Sequence, residues 1–221
     1  MKIVILAGGP AQSFESLIKM DKNFDQAFYV GVDRGSFRLM QAGFPVNLAI
    51  GDFDSLSAEE FSAVSAYADE YHKSPTEKND TDLELAVLAV LTRFQNIEEI
   101  LILGGIGGRF DHQIQIFYLP LQSRFSTIVD KIILRDETNS IRFVSAGQYQ
   151  LVKEPQMTYL AFASLTPVKA LAIKGAKYAL AATDFDRNLS LSSNEFINEQ
   201  PVTLSFKKGM VAIIQSKDES K

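Results

Sequence analysis

Acidic residues fall where predicted strands end or predicted helices begin in the first half of the sequence. They are Asp33, Asp52, Asp54, Asp80, Asp82 and Asp111. Carboxylates drawn together at one place repel one another, so such a set normally requires a cation. The chain has no cysteine and only two histidines, and oxygen ligands favour Mg²⁺ over zinc. Because Mg²⁺ bound by carboxylates and substrate phosphates is typical of phosphoryl transfer, the pattern predicts that chemistry.

Two glycine-rich segments follow predicted strands and point to the same chemistry. Gly8-Gly9 follows the first apolar run, and residues 104–109 (GGIGGR) follow a later one. Glycine lets backbone N–H groups approach phosphate oxygens, and Arg109 can add a bidentate contact. Neither segment matches a P-loop or a dinucleotide-binding fingerprint, so neither is specific alone.

Alternating strands and helices explain how these residues meet. Apolar runs predict strands over residues 2–7, 27–32, 46–50 and 100–103. Five helices are predicted. They lie around residues 14–18, from after Gly35 to about Gln41, over residues 57–71, from near Asp80, and from Asp111 to about Arg124. Thr81 with Glu84 fits a capping box for the longest helix. This alternation predicts an α/β domain with a parallel sheet, in which the strand-to-helix loops share one edge.

The second half of the sequence has a different pattern. Short runs rich in Val, Ile, Leu, Tyr and Phe predict strands over residues 131–134, 141–144, 149–152, 158–163, 171–174, 202–206 and 211–215. Turn residues such as Ala146-Gly147 and Lys208-Gly209 separate them. This spacing of short strands predicts an all-β sandwich or barrel, so the predicted domains are residues 1–127 and 128–221.

Composition narrows the classes of partner and compartment. The 221 residues carry a formal net charge of -5 with a sequence pI of about 5.1, which disfavours nucleic acid and anionic membranes as partners. No stretch approaches the roughly 18 apolar residues of a membrane span. The short apolar run at the N-terminus is too brief for a signal-peptide core. We therefore expect a cytoplasmic protein that binds neither nucleic acid nor membrane.

Several of these segments together resemble the thiamin pyrophosphokinase family. In the first half they are residues 31–35 (GVDRG), 51–55 (GDFDS), 77–82 (EKNDTD) and 104–112 (GGIGGRFDH). In the second half they are residues 174–180 (KGAKYAL) and 192–196 (SSNEF). The resemblance implies an α/β domain followed by a β-sandwich and a homodimer whose subunits share each active site. It also implies ATP-dependent pyrophosphorylation of thiamin to thiamin diphosphate, with release of AMP.

The same resemblance implies roles for particular residues. Asp52, Asp54 and Asp82 would be catalytic and would hold Mg²⁺ with the ATP phosphates. Contacts to ATP or its phosphates would come from Asp33, Arg34, Lys78, Thr81, Gly107, Arg109, Asp111 and His112. Tyr178 would offer its ring to the thiazolium of thiamin as a cation–π contact, and Ser193 and Asn194 would hydrogen-bond nearby.

The chain departs from the family pattern at two positions, and other interpretations stay open. Asn79 occupies the place of a customary aspartate, and Ile116 stands where many relatives carry asparagine. One alternative is a nucleotidyltransferase acting on a small phosphorylated substrate, because residues 6–9 (LAGG) resemble the opening of sugar-nucleotide synthases. Residues 10–13 (PAQS) lack the basic side chains which that class carries next. The other alternative is a nucleotide- or thiamin-binding protein without turnover.

Overall fold

The computed structural model describes residues 1–20, 24–75, 77 and 79–218, and it divides into two compact units. The first comprises Met1–Leu119 with Leu134–Glu137, and the second comprises Pro120–Ile133 with Thr138–Lys221. The boundary predicted at residue 127 falls within a 3-10 segment, Ser123–Lys131. Within the described ranges, no helix is long and apolar enough to cross a membrane.

The first unit is built on a parallel sheet with the strand order β5-β1-β2-β3-β4. Its strands are β1 (Lys2–Leu6), β2 (Phe28–Val32), β3 (Leu48–Gly51), β4 (Tyr71–Lys73) and β5 (Glu99–Leu103). Its helices are α1 (Phe14–Met20), α2 (Arg34–Gln41), α3 (Ala58–Tyr67), α4 (Asp82–Arg93) and α5 (Phe110–Phe117). Strands β1, β2, β3 and β5 are almost fully buried, as expected of parallel strands covered on both faces. The predicted α/β architecture is confirmed.

Two helix predictions in this unit were wrong in extent. The helix predicted over residues 57–71 ends at Tyr67, because Ala68 is extended, and β4 then adds an edge strand parallel to β3. All three β4 residues are exposed, so no apolar alternation marks the strand in the sequence. The helix predicted from Asp111 to Arg124 ends at Phe117, shortly before Pro120, which has no N–H to continue the ladder.

The second unit is an antiparallel β structure organised around one long strand. Its strands are β7 (Asn139–Leu151), β8 (Tyr159–Ser164), β9 (Val168–Lys174), β10 (Leu180–Phe185), β11 (Ser190–Asn194) and β12 (Val202–Ser216), while β6 (Ile132–Arg135) straddles the division. Strand β12 pairs with β7 along its length, with β9 along its first half and with β8 along its second. Strands β10 and β11 extend these pairings through β9 and β8. One hydrophobic core lies between these strands, and it includes the buried side chains of Phe162, Leu171, Leu204 and Ile213. The predicted β-rich C-terminal fold is confirmed.

The turns predicted within this unit were wrong at two places. Ala146-Gly147 lies inside β7, and Lys208-Gly209 lies inside β12. The pairing of β12 with β7 shifts register between Phe206 and Met210, and Gly209 has φ 109 there, so this glycine marks a bulge instead of a turn. Strands β10 and β11 were not predicted, because their side chains are mostly exposed and show little alternation.

Candidate active site

The carboxyl edge of the parallel sheet opens into a cavity of about 600 Å³. Residues after β1, β2, β3 and β5 line it together with the start of α4. Of the residues predicted for the site, those lining the cavity are Asp33, Arg34, Asp52, Asp54, Thr81, Asp82, Gly107, Arg109 and His112. Asp80 and Ile116 also line it, Asp111 does not, and Lys78 lies outside the described residues.

Three carboxylates in this cavity form a compact oxygen cluster. Asp33, Asp52 and Asp82 each place one oxygen so that all three oxygens lie within 4.8 Å of one another. All three residues are partly buried, so water screens their mutual repulsion less than it would at an open surface. Asp54 lines the same cavity and is exposed, but it is not a member of this group. Asp52 lies 19 positions after Asp33 and 30 positions before Asp82, and the sheet topology brings the three clustered residues together.

Asp33 is held in an unusual backbone conformation immediately before α2. Its φ is 47 and its ψ is -121, a region that costs a non-glycine residue about 1–3 kcal/mol. Its N–H donates to the carbonyl of Ile50 at 3.0 Å, and its Oδ1 accepts from the N–H of Phe53 at 3.2 Å. A Cβ on Gly51 would lie 1.9 Å from that Oδ1, so this position requires glycine. The loops after β2 and β3 therefore fix each other.

The Asp52-Phe53-Asp54 turn is anchored by its central aromatic ring. Phe53 has a positive φ of 58, is almost fully buried and packs 4.9 Å from the ring of Phe61, centroid to centroid. The N–H of Asp54 donates to Oδ1 of Asp52 at 3.1 Å. Burial of Phe53 thus fixes the turn on which the two flanking carboxylates stand. The segment 51–55 (GDFDS) was singled out in the sequence for its two acids, and the anchoring role of Phe53 was not predicted.

Asp82 lies in the first turn of α4, and several hydrogen bonds fix that helix end. The predicted capping box is present: the N–H of Thr81 donates to Glu84 at 2.8 Å, and the N–H of Glu84 donates to Oγ1 of Thr81 at 3.3 Å. Ser74 donates its hydroxyl to Oδ1 of Asp82 at 2.6 Å. Gln115 on α5 donates to Oγ1 of Thr81 at 3.0 Å. Thr81, predicted as an ATP contact, therefore caps α4, and the sequence did not indicate Ser74 or Gln115.

The two glycine-rich loops touch each other at the cavity wall. A Cβ on Gly9 would lie 2.3 Å from the carbonyl oxygen of Gly104. Gly107 has φ 85, a conformation that glycine adopts without strain. Arg38 on α2 donates to the carbonyl of Gly9, a contact that the sequence did not reveal. The loops after β1 and β5 thus form one continuous backbone surface.

The cationic side chains of the site are paired with acids. Arg34 makes a bidentate contact with Glu60, at 3.3 and 3.1 Å, and also donates to the carbonyl of Ser55. Arg109 donates to both carboxylate oxygens of Asp111, at 3.2 and 2.6 Å, and the two side chains are exposed. Hydrogen bonding to Arg109 lowers the pKa of Asp111 below its ordinary value. An exposed ion pair of this kind exchanges partners at little cost, which suits Arg109 for an arriving phosphate.

The residues predicted to bind thiamin lie together in the second unit. Tyr178, between β9 and β10, is 60% exposed, and Ser193 is exposed with φ 60. Asn194 is 4% exposed, and its amide accepts from the Tyr178 N–H at 2.9 Å and donates to the Tyr178 carbonyl at 2.8 Å. The structure thus brings the three residues together and shows Asn194 holding the backbone that carries the Tyr178 ring.

Comparisons with known proteins agree across both units. The family model for the thiamin pyrophosphokinase catalytic domain matches residues 21–129, and that for the thiamin pyrophosphokinase vitamin B1 binding domain matches residues 148–211. Thiamine pyrophosphokinase of Bacillus subtilis is 33% identical over 221 residues, covering 98% of this chain and 99% of that protein.

Solved structures show the same likeness. A thiamin pyrophosphokinase family protein from Enterococcus faecalis superposes with a TM-score of 0.90 at 38% identity, over 99% of this chain and 100% of that one. Thiamin pyrophosphokinase from Geobacillus thermodenitrificans superposes with a TM-score of 0.83 at 30% identity, over 100% of this chain and 99% of that one.

Proposed function

Because the chain belongs to the thiamin pyrophosphokinase family, we propose that it transfers a diphosphate group from ATP to thiamin, giving thiamin diphosphate and AMP. The observation that carries this proposal is the cluster of Asp33, Asp52 and Asp82 in a cavity walled by two glycine-rich loops. Clustered carboxylates beside glycine-rich backbone are the parts that a phosphoryl-transfer site needs.

The donor set of the cluster fits Mg²⁺. Carboxylate oxygens are the ligands that this ion prefers, and a hydrogen bond to Oδ1 orients each of the three side chains. Asp33, Asp52 and Asp82 would hold the ion, and Asp54 in the same cavity is a further proposed ligand. When bound, Mg²⁺ would neutralise charge on the ATP phosphates.

The remaining chemistry is positioning by the chain's own groups. The hydroxyl oxygen of thiamin attacks the β-phosphorus of ATP, the bond from that phosphorus to the α–β bridging oxygen breaks, and AMP leaves. A cavity carboxylate accepts the hydroxyl proton. Backbone N–H groups of the glycine-rich loops bind phosphate oxygens, and Arg109 exchanges Asp111 for a phosphate. Holding the reactants in line supplies most of the rate enhancement in such sites.

We also propose a homodimer in which each active site combines the first unit of one copy with the second unit of the other. Helix α5 and its C-cap expose Phe110, Ile114 and Tyr118, which are spaced four residues apart along one side of the helix. The second unit exposes Tyr178 and Ile197. Exposed apolar groups of this size are typical of interaction surfaces.

Mixed dimers test this arrangement. Tyr178→Ala and Asp54→Asn proteins, each expected to be less active than the unchanged protein, should give more activity when refolded together than the mean of the two alone, because one site of each mixed dimer is intact. Mixing that restores no AMP release beyond that mean contradicts the shared site.

The cytoplasmic location expected from the sequence stays a prediction.

Product analysis tests the proposed function itself. The protein is incubated with ATP, Mg²⁺ and thiamin, and the nucleotides and thiamin phosphates are separated by chromatography. We expect AMP and thiamin diphosphate in equal amounts. ADP with thiamin monophosphate would indicate an ordinary monophosphate kinase, and bound ligands without products would indicate a binding protein.

A further inference from the structure

The backbone around Tyr178 is fixed although its side chain is exposed. Ala176 forms an antiparallel bridge with Phe196, and the N–H of Lys177 donates to the carbonyl of Glu195 at 3.0 Å. The buried Asn194 amide binds both backbone groups of Tyr178. The ring is therefore presented to solvent from a rigid frame, which lowers the entropy cost of binding a ligand against it.

A cation of the chain itself already lies over this ring. The Nζ atom of Lys177 is 5.7 Å from the centroid of the Tyr178 ring. Its other partner is Glu195, whose Oε1 lies 2.5 Å away, and this contact raises the pKa of Lys177 above its ordinary value. The face of an aromatic ring attracts cations, and here a lysine held by a carboxylate occupies that position.

We propose that Lys177 is an internal cation that occupies the Tyr178 face until the cationic thiazolium of thiamin displaces it, and that Glu195 then faces the ligand's positive charge. The inference rests on the proposed function, because it takes thiamin as the ligand of this surface. It goes beyond that function by assigning a competitive role to Lys177 and a charge-balancing role to Glu195.

Charge repulsion determines whether each substitution strengthens or weakens the binding of thiamin. Two cations cannot share one ring face without repulsion, so thiamin must overcome the contact between Lys177 and the ring. Removing the lysine removes this competitor and leaves the Glu195 carboxylate beside the site, which attracts a cation further. Neutralising Glu195 does the opposite, because it leaves the ammonium of Lys177 without its counter-charge next to the ring.

Calorimetric titration of the full chain with two ligands tests the proposed roles of Lys177 and Glu195. One ligand is thiamin, which carries a permanent positive charge, and the other is its neutral hydroxyethyl-methylthiazole fragment. We expect Lys177→Met to bind thiamin roughly threefold more tightly and Glu195→Gln roughly threefold more weakly. Both variants should change the affinity for the neutral fragment by a clearly smaller factor, because the fragment competes with the ammonium for the ring but carries no charge of its own. Lys207→Met removes an equal charge from an exposed site on β12 and should change neither affinity.

The outcomes separate this inference from the function on which it rests. Unchanged or weaker thiamin binding by Lys177→Met overturns the proposal, as does an equal change for the charged and neutral ligands, which would indicate a structural role. Both results leave the proposed function standing if the protein still releases AMP. Absence of thiamin binding by the unchanged protein contradicts the proposed function as well. Loss of folded structure in Glu195→Gln, seen by circular dichroism, leaves the Lys177→Met comparison decisive.

Discussion

The acid cluster of the first unit and the Tyr178 surface of the second unit are built in different ways. The cluster joins side chains that are far apart in sequence, because parallel strands end at one edge of the sheet. The Tyr178 surface depends on the pairing of two short segments and on the hydrogen bonds of Asn194. Sheet topology thus assembles the acid cluster, whereas local hydrogen bonding assembles the Tyr178 surface.

The largest effect is expected in the acid cluster. Asp52→Asn or Asp82→Asn should lower kcat by at least about a hundredfold, because each removes a charge from the cation site. The fold should persist, since the asparagine oxygen can still accept the hydrogen bonds of Asp54 or Ser74. Steady-state kinetics at saturating Mg²⁺ and thermal unfolding measure the two quantities. Near-normal turnover in either variant would remove that residue from the cation site.

A smaller effect on a different quantity is expected for Asn194. Asn194→Ala should lower the free energy of unfolding by about 2 kcal/mol, because a buried amide that binds the backbone is lost. Thiamin affinity should fall as well, since the Tyr178 ring loses its rigid support. Denaturant unfolding and calorimetry measure both quantities. Asn188→Ala, which removes an exposed amide bonded to the Leu165 carbonyl, is the control, and an equal stability loss there would contradict the clamp.

Replacement of Arg109 should change the kinetics of ATP and leave the affinity for thiamin unchanged. Arg109→Ala should lower kcat/KM for ATP by about thirtyfold, because the variant loses the proposed phosphate contact of the guanidinium. The affinity for thiamin should stay as it was. Varying each substrate in turn separates the two effects, and a change confined to thiamin would place Arg109 on the other side of the reaction.

The smallest effect compares two capping boxes with the same chemistry. Thr81→Ala and Ser57→Ala should each cost about 1 kcal/mol of stability, because each removes the side-chain cap of a helix. Thr81 caps the helix that begins with Asp82, so its replacement should also raise the KM for Mg-ATP. Ser57 caps α3, and its replacement should leave the kinetics unchanged. Equal kinetic behaviour of the two variants would show that the α4 cap does not position the site.

The sequence predicted the parts of the site that follow from strand order and missed those that depend on conformation. The position of the acids at the ends of predicted elements predicted that they would gather at one edge, and the family resemblance predicted Asp52, Asp54 and Asp82 as metal ligands. Asp33 was expected to contact the nucleotide, and the structure places it in the acid cluster instead of only near it. Its positive φ and the close approach of Gly51 to its carboxylate belong to the folded backbone and leave no pattern in the sequence. Strand β4 escaped prediction because its side chains are exposed.

In the second unit, roles came from family resemblance, because strand pattern does not single out Tyr178 or Asn194. Both long strands were predicted as pairs of shorter ones, since Gly147 and Gly209 resemble turn signals. Only the pairing of β12 with its three neighbours shows that the chain continues through these glycines.

The proposed cation site is tested most directly by binding of Mn²⁺, a paramagnetic substitute for Mg²⁺, measured by electron paramagnetic resonance. The protein is titrated in the presence of α,β-methylene-ATP, in which the bond to be broken is inert. We expect that the unchanged protein binds Mn²⁺ and that Asp33→Asn, Asp52→Asn and Asp82→Asn each weaken binding by at least about tenfold. Binding that is unchanged in all three variants would contradict the cation site.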